Sequence, residues 1–246
     1  MDTAMDALLT LREMSDVELS RRSGVSRSTL HRIETGAASP TLRTLRELAI
    51  AAGVDVDVSI KTLSDPHAAR AARFLLDASF QEVSLMRADK EWMGRLARVS
   101  GDDPVAIVSQ AGHASTVLAT PTAVFTRDSF SPLRLASAGD ATGHPWAVSG
   151  RAGLEAISPS GETPQVGPDI LYVADPHHAW RLLESPTRTQ TAGNALTIIA
   201  PWHNHLAVDA WGVGAVHYVA PIQALLDGVG LGGQMAETAL DIARRW

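Results

Sequence analysis

At 246 residues the chain has room for a small helical domain of about sixty residues and a second domain of about 170 with its own core. It contains no cysteine, which excludes a disulfide framework, a cysteine-ligated metal and a cysteine nucleophile. Its net charge is -6, it has no run of about eighteen apolar residues to span a bilayer, and its opening MDTAMDALLTLREM is not built like a secretory signal, so a cytoplasmic protein is expected.

The first informative stretch runs from Ser15 to Val54. Leu19, Val25, Leu30 and Ile33 fall where two short helices around a tight corner must bury apolar side chains, and Gly24 sits at the corner itself. Ser15 is placed to cap the first helix and Ser26 to cap a second one that opens at Arg27, runs to Glu34 and ends at Gly36. With Leu30 and Ile33 turned inward, Arg27, Ser28, Thr29, His31 and Arg32 remain for the outer face. Those residue types suit the edges of bases in a major groove: Arg bonds bidentately to guanine, while Ser and Thr serve bases or phosphates. Arg22, Ser26, Ser39, Thr41 and Arg43 are the expected phosphate contacts. From Arg21 to Arg46 six arginines face one acid, Glu34, so positive charge is concentrated in this one segment of an acidic chain.

The run Leu19-Ser20, Gly24-Val25-Ser26, Arg27 to Arg32, Glu34-Thr35-Gly36, Pro40 and Leu42 to Val54 resembles the Xre/lambda-repressor class of helix-turn-helix domains over residues ~8–60. That resemblance implies a repressor of double-stranded DNA that binds a palindromic operator as a homodimer. Two positions depart from the family pattern. Ser20 stands where a small Ala is usual, and Asp16 where a phosphate-contacting Gln or Thr is common.

Beyond Val54 the alternation Val54, Val56, Val58, Ile60 reads as a short strand or an extended connector, and the first domain closes near residue 62. Asp65-Pro66 looks like a cap followed by proline at the first helical position, opening a helix that breaks near Ser79. Further helices are expected over 89–99 and 104–118. These elements make residues 63–119 a helical connector or part of the second domain.

From residue 120 to 246 the texture is α/β. Short strands are expected at 145–150, 170–174, 196–200 and 214–220, and helices at 151–157, from Asp175-Pro176, at 221–227 and at 234–245. Proline- and glycine-rich stretches at 127–145 and 158–168 read as loops. The fold class expected is therefore α+β: an all-α helix-turn-helix domain at 1–62, then a larger domain with a small mixed sheet.

Two segments of this second half resemble a further family. Trp146-Ala-Val-Ser-Gly150 with Ala152 and Leu154, and Tyr218-Val-Ala-Pro-Ile-Gln-Ala-Leu-Leu-Asp227 followed by Gly232-Gly233-Gln234 and Ala236-Glu237, are similar to stretches of AbiEi-like type IV antitoxins. The resemblance implies an autoregulating antitoxin encoded beside a nucleotidyltransferase-like toxin, linked to it genetically without stable binding. It departs from that family in lacking a winged helix-turn-helix and in carrying Gln234 where arginine is common.

No catalytic set assembles from the sequence, and the chain reads as a non-enzyme without cofactor. His203, His205 and Asp209 would share a ligand if they lay on a strand, but they follow Pro201 in a polar stretch, and His177 and His178 point about 100° apart on a helix. No metal is expected. Ser149 lacks the leading glycine of a nucleophile elbow. The run DGVGLGG at 227–233 lacks the Lys-Ser/Thr of a phosphate loop and reads as a turn. The tryptophans at 92, 146, 180, 202, 211 and 246 read as core anchors, with an aromatic pocket from Trp146, Trp202 and Trp211 as the alternative. Such a pocket would make the chain a one-component regulator whose second domain senses a small molecule.

Overall fold

The computed structural model describes residues 14–158, 167–189 and 192–245. The chain divides into two compact units, Met1–Lys61 and Thr62–Trp246.

In the first unit α1 (Asp16–Ser23), α2 (Arg27–Glu34) and α3 (Leu42–Ala51) pack around Leu19, Leu30, Ile33, Leu45 and Leu48. Each helix starts at a hydroxyl cap: Ser15, Ser26 and Thr41 accept from the amides of Glu18, Thr29 and Thr44. Such a cap stabilises a short helix by about 1 kcal/mol. Gly24 turns the corner at φ 71°, where a side chain would be strained, and its amide closes α1 on the Ser20 carbonyl at 3.0 Å. Ser20 belongs to the corner too: its hydroxyl donates to the Val25 carbonyl at 2.7 Å. Residues 54–60 form no strand. Their alternation marks an extended connector, with Val58 and Ile60 on the surface.

The second unit is a six-stranded mixed sheet between helices. Its strands are β1 (Val124–Thr126), β2 (Trp146–Gly150), β3 (Asp169–Val173), β4 (Thr197–Pro201), β5 (Trp211–Val213) and β6 (Val216–Tyr218). They lie in the order β1-β4-β3-β2-β6-β5. β3 runs parallel to β4 and β2 parallel to β6, while the other pairings are antiparallel. The pleat sorts side chains by alternation: Trp146, Val148, Leu171, Val173 and Ile199 enter one core, and Ala147, Ile170, Tyr172, Ile198 and Ala200 the other.

On the first face lie α7 (Pro132–Ala141) and α9 (Pro176–Leu182). The second face is covered by α10 (Pro221–Leu231), behind which pack α4 (Pro66–Leu76), α5 (Arg87–Ser100), α6 (Pro104–Ala114) and α11 (Gly233–Arg244). The short α8 (Arg151–Ile157) follows β2 directly and shares Leu154 with this helical core.

Three expectations are corrected. Within 127–145 the chain forms α7, because Ser131 caps an Arg134 amide and Pro132 takes the first helical position; the glycines there did not prevent a helix. The run at 227–233 is mostly helix: α10 continues to Leu231, and only Gly232 and Gly233 make the turn into α11. Its glycines serve close packing. A Cβ at Gly230 would meet the Gly112 carbonyl at 2.9 Å, and one at Gly228 the Ala239 Cβ at 2.8 Å. Lastly, β1 and β5 are strands of three residues that the sequence pattern did not single out. The stretch at 158–168 lies mostly outside the described residues, as does Trp246.

Candidate nucleic-acid interface

The cap at Ser26 aims the start of α2 outward. Its hydroxyl accepts the Thr29 amide at 3.1 Å and lies 3.0 and 2.8 Å from the hydroxyls of Ser28 and Thr29. Leu30 and Ile33 lock the opposite side of the helix into the core. Arg27, Ser28, Thr29, His31 and Arg32 are consequently all exposed on one short helix, and four of the five stand in its first five positions.

The expected phosphate contacts are also on the surface: Arg22 on α1, Ser26 and Thr41 at two caps, Ser39 in the connection and Arg43 in the first turn of α3. Their chemistry divides. The hydroxyls of Ser26 and Thr41 are spent on amides of their own helices, so what they add is an ordered, donor-rich helix start. The two arginines are cations, but only one is free. Among the described residues no carboxylate lies within ion-pair reach of Arg43, Arg27 or Arg32, whereas Arg22 donates to Glu18 at 2.6 Å.

Glu18 is the residue that sequence reasoning passed over. It takes a two-pronged contact from Arg21, at 2.9 and 2.7 Å, besides the one from Arg22. These hydrogen bonds hold its carboxyl down at about 2. The spacing gave a signal, since Glu18 stands three and four residues before the two arginines on one helix. The outer side of α1 therefore carries less positive charge than its arginines alone would give.

In the second unit His203 and His205 follow β4 on no strand of their own. His203 and His205 belong to the one-turn helix at Asn204–Ala207 and its cap, and their rings stack in parallel at 5.6 Å. Burial pushes the His205 imidazole down to about 3, so it is neutral at physiological pH. Among the described residues no group of three His, Asp or Glu side chains is arranged to hold a metal ion. Trp146, Trp202 and Trp211 do not line a common pocket: Trp146 and Trp211 pack on one face of the sheet, Trp202 on the other.

A polar cluster that the sequence did not announce sits in the core instead. Asp227 of α10 accepts from Ser149 of β2 at 2.5 Å and from Tyr172 of β3 and Gln223 of α10, each at 2.9 Å. Burial is the first cause of its raised carboxyl, at about 6, and the three donors oppose it. Only the spacing of Gln223 and Asp227 was readable, because Ser149 is 78 positions away.

A family model described as helix-turn-helix matches residues 6–58. Comparison with curated proteins and with solved structures yields no match.

Proposed function

We propose that the chain, which carries a helix-turn-helix DNA-binding domain at residues 6–58, is a sequence-specific repressor that reads a palindromic operator as a homodimer. The observation that carries this reading is the outward, unpaired cationic face of α2. Arg27 and Arg32 discriminate bases, with Ser28, Thr29 and His31 beside them, and each arginine is worth about 1 to 3 kcal/mol if bidentate to guanine. Arg43 holds a phosphate with its whole guanidinium and Arg22 with the terminal nitrogens that Glu18 leaves over, with Ser26, Ser39 and Thr41 at their sides. A single α2 covers only a few base pairs, so two copies on half-sites about 34 Å apart multiply the affinity.

The finer role we propose is that of an antitoxin repressing its own operon beside a nucleotidyltransferase-like toxin gene. Both segments that resemble AbiEi-like antitoxins contribute to one buried cluster, Ser149 from the first and Gln223 and Asp227 from the second. This supports their being parts of a single framework rather than two chance likenesses. The test is expression of the adjacent toxin gene, which should arrest growth, with and without this chain. Relief of arrest by the wild type and by Arg27→Ala/Arg32→Ala, with repression lost only in the variant, is expected; arrest unrelieved by the wild type refutes the antitoxin role.

A second reading, a one-component regulator whose second unit senses a small molecule, is favoured by a cavity in that unit.

A further inference from the structure

The second unit contains a cavity of about 280 Å³ between α4, the segment 115–122, the end of β4 and α10. Ala69, Val117 and Leu206 give it apolar walls, Gln223, His203, His205 and several hydroxyl side chains line it as polar groups, and no lysine, arginine or carboxylate does.

Gln223 is the unusual member. It is only 3 % exposed, its Nε2 donates to Asp227, and its Oε1 is buried without a partner. A buried carbonyl left unpaired loses its hydration with nothing in return, and such atoms are rare in native structures. The amide has no relief in turning over. Asp227 already accepts from Tyr172 and Ser149, so it demands the amide nitrogen and leaves the oxygen over. The His205 ring, which also lines the cavity, receives no hydrogen bond from the described residues; being neutral, it offers one donor and one acceptor.

From this geometry we infer that the cavity is a binding site for a small, flat, uncharged ligand that carries an N–H donor for Gln223 Oε1, of the size and kind of a nucleobase or a heterocyclic amide. The volume equals about nine water molecules, below the space drug-sized ligands occupy. Without a cation on its walls it has nothing to neutralise a phosphate or a carboxylate. The site stands whether or not its occupation alters DNA binding.

The test is calorimetric titration of the full chain with adenine, uracil and nicotinamide as probes and benzoate as the charged control, each to about 1 mM. Saturable binding of at least one neutral probe is expected, with none for benzoate. Gln223→Leu and His205→Leu should each weaken that probe about tenfold or more, with thermal melting showing that the variant is folded; if one does not fold, the other gives the reading. No binding of any neutral probe, equal binding of benzoate, or unchanged binding in a folded variant overturns the site.

Discussion

The two units place their polar groups in opposite ways. The first turns most of them outward: Arg27, Arg32 and Arg43, the hydroxyls of Ser26, Ser28, Thr29, Ser39 and Thr41, and His31 stand on the surface, around an apolar cluster of Leu19, Leu30, Ile33, Leu45 and Leu48. The second hides some of its own, with Asp227 tied to three donors and Arg73 fully buried, donating to the backbone carbonyls of His205 and Val208 and to Asp77. An outward polar face is available to a partner such as DNA, and its strength depends on salt. A buried one is spent on holding distant segments in register, and its strength depends on packing and pH.

The contrast is broken most severely by packing. A Cβ at Gly112 would come 2.6 Å from the Val229 Cβ and 2.7 Å from the Leu226 carbonyl, so α6 and α10 would have to part. Gly112→Ala should cost the second unit about 3 kcal/mol. Tryptophan fluorescence reads this directly, because all six tryptophans lie beyond residue 62; an unchanged fluorescence melt would contradict the packing.

Protonation sharpens the comparison next. His205 is held at about 3 against an ordinary 6.5, so the stability it confers is complete above 6.5 and is lost as pH falls through that window. Asp227 works the other way. Its carboxyl sits at about 6 against 3.8, so the folded chain keeps a proton that the unfolded chain releases, and stability falls as pH rises from 3.8 towards 6. Between pH 7 and 4.5 each amounts to about 2 kcal/mol, with opposite signs. Denaturant unfolding followed by tryptophan fluorescence should therefore show His205→Gln gaining stability on acidification relative to the wild type, and Asp227→Asn losing it. Parallel pH profiles for the two variants would count against the assignment.

The difference between the units also explains what the sequence disclosed. In the first, each decisive feature is local: caps three residues from the amide they satisfy, apolar positions three apart, one glycine at a corner. The helices, the corner and the outward face of α2 were all readable, and what was missed, Glu18 on Arg21 and Arg22, is a local pair as well. In the second, strand and helix starts were legible where a cap and a proline met, as at Asp65-Pro66 and Asp175-Pro176. Ser131-Pro132 carries the same signature, but the surrounding glycines hid it. The Asp227 cluster was out of reach because it joins β2, β3 and α10, and the glycines of α10 have meaning only once Gly112 and Ala239 are seen against them.

A smaller effect probes the outward face alone. Glu18→Gln should release Arg21 and Arg22 for phosphate and raise affinity for all DNA sequences a few-fold at low salt, with the gain fading as salt rises. Fluorescence anisotropy on a non-specific duplex at two salt concentrations checks it; a loss of affinity would show that the ion pair instead holds α1 in its working position.

The most direct test of the central claim is titration of the full chain on its operator across a salt series, comparing Arg27→Ala, Arg32→Ala and Arg43→Ala. The expected result is a loss of about 1–3 kcal/mol with relaxed preference at one base position for each of the first two, and for the third a loss on every sequence with a salt slope smaller by about one. Unchanged affinity and base preference in both Arg27→Ala and Arg32→Ala would contradict the assignment of α2 as the element that reads DNA.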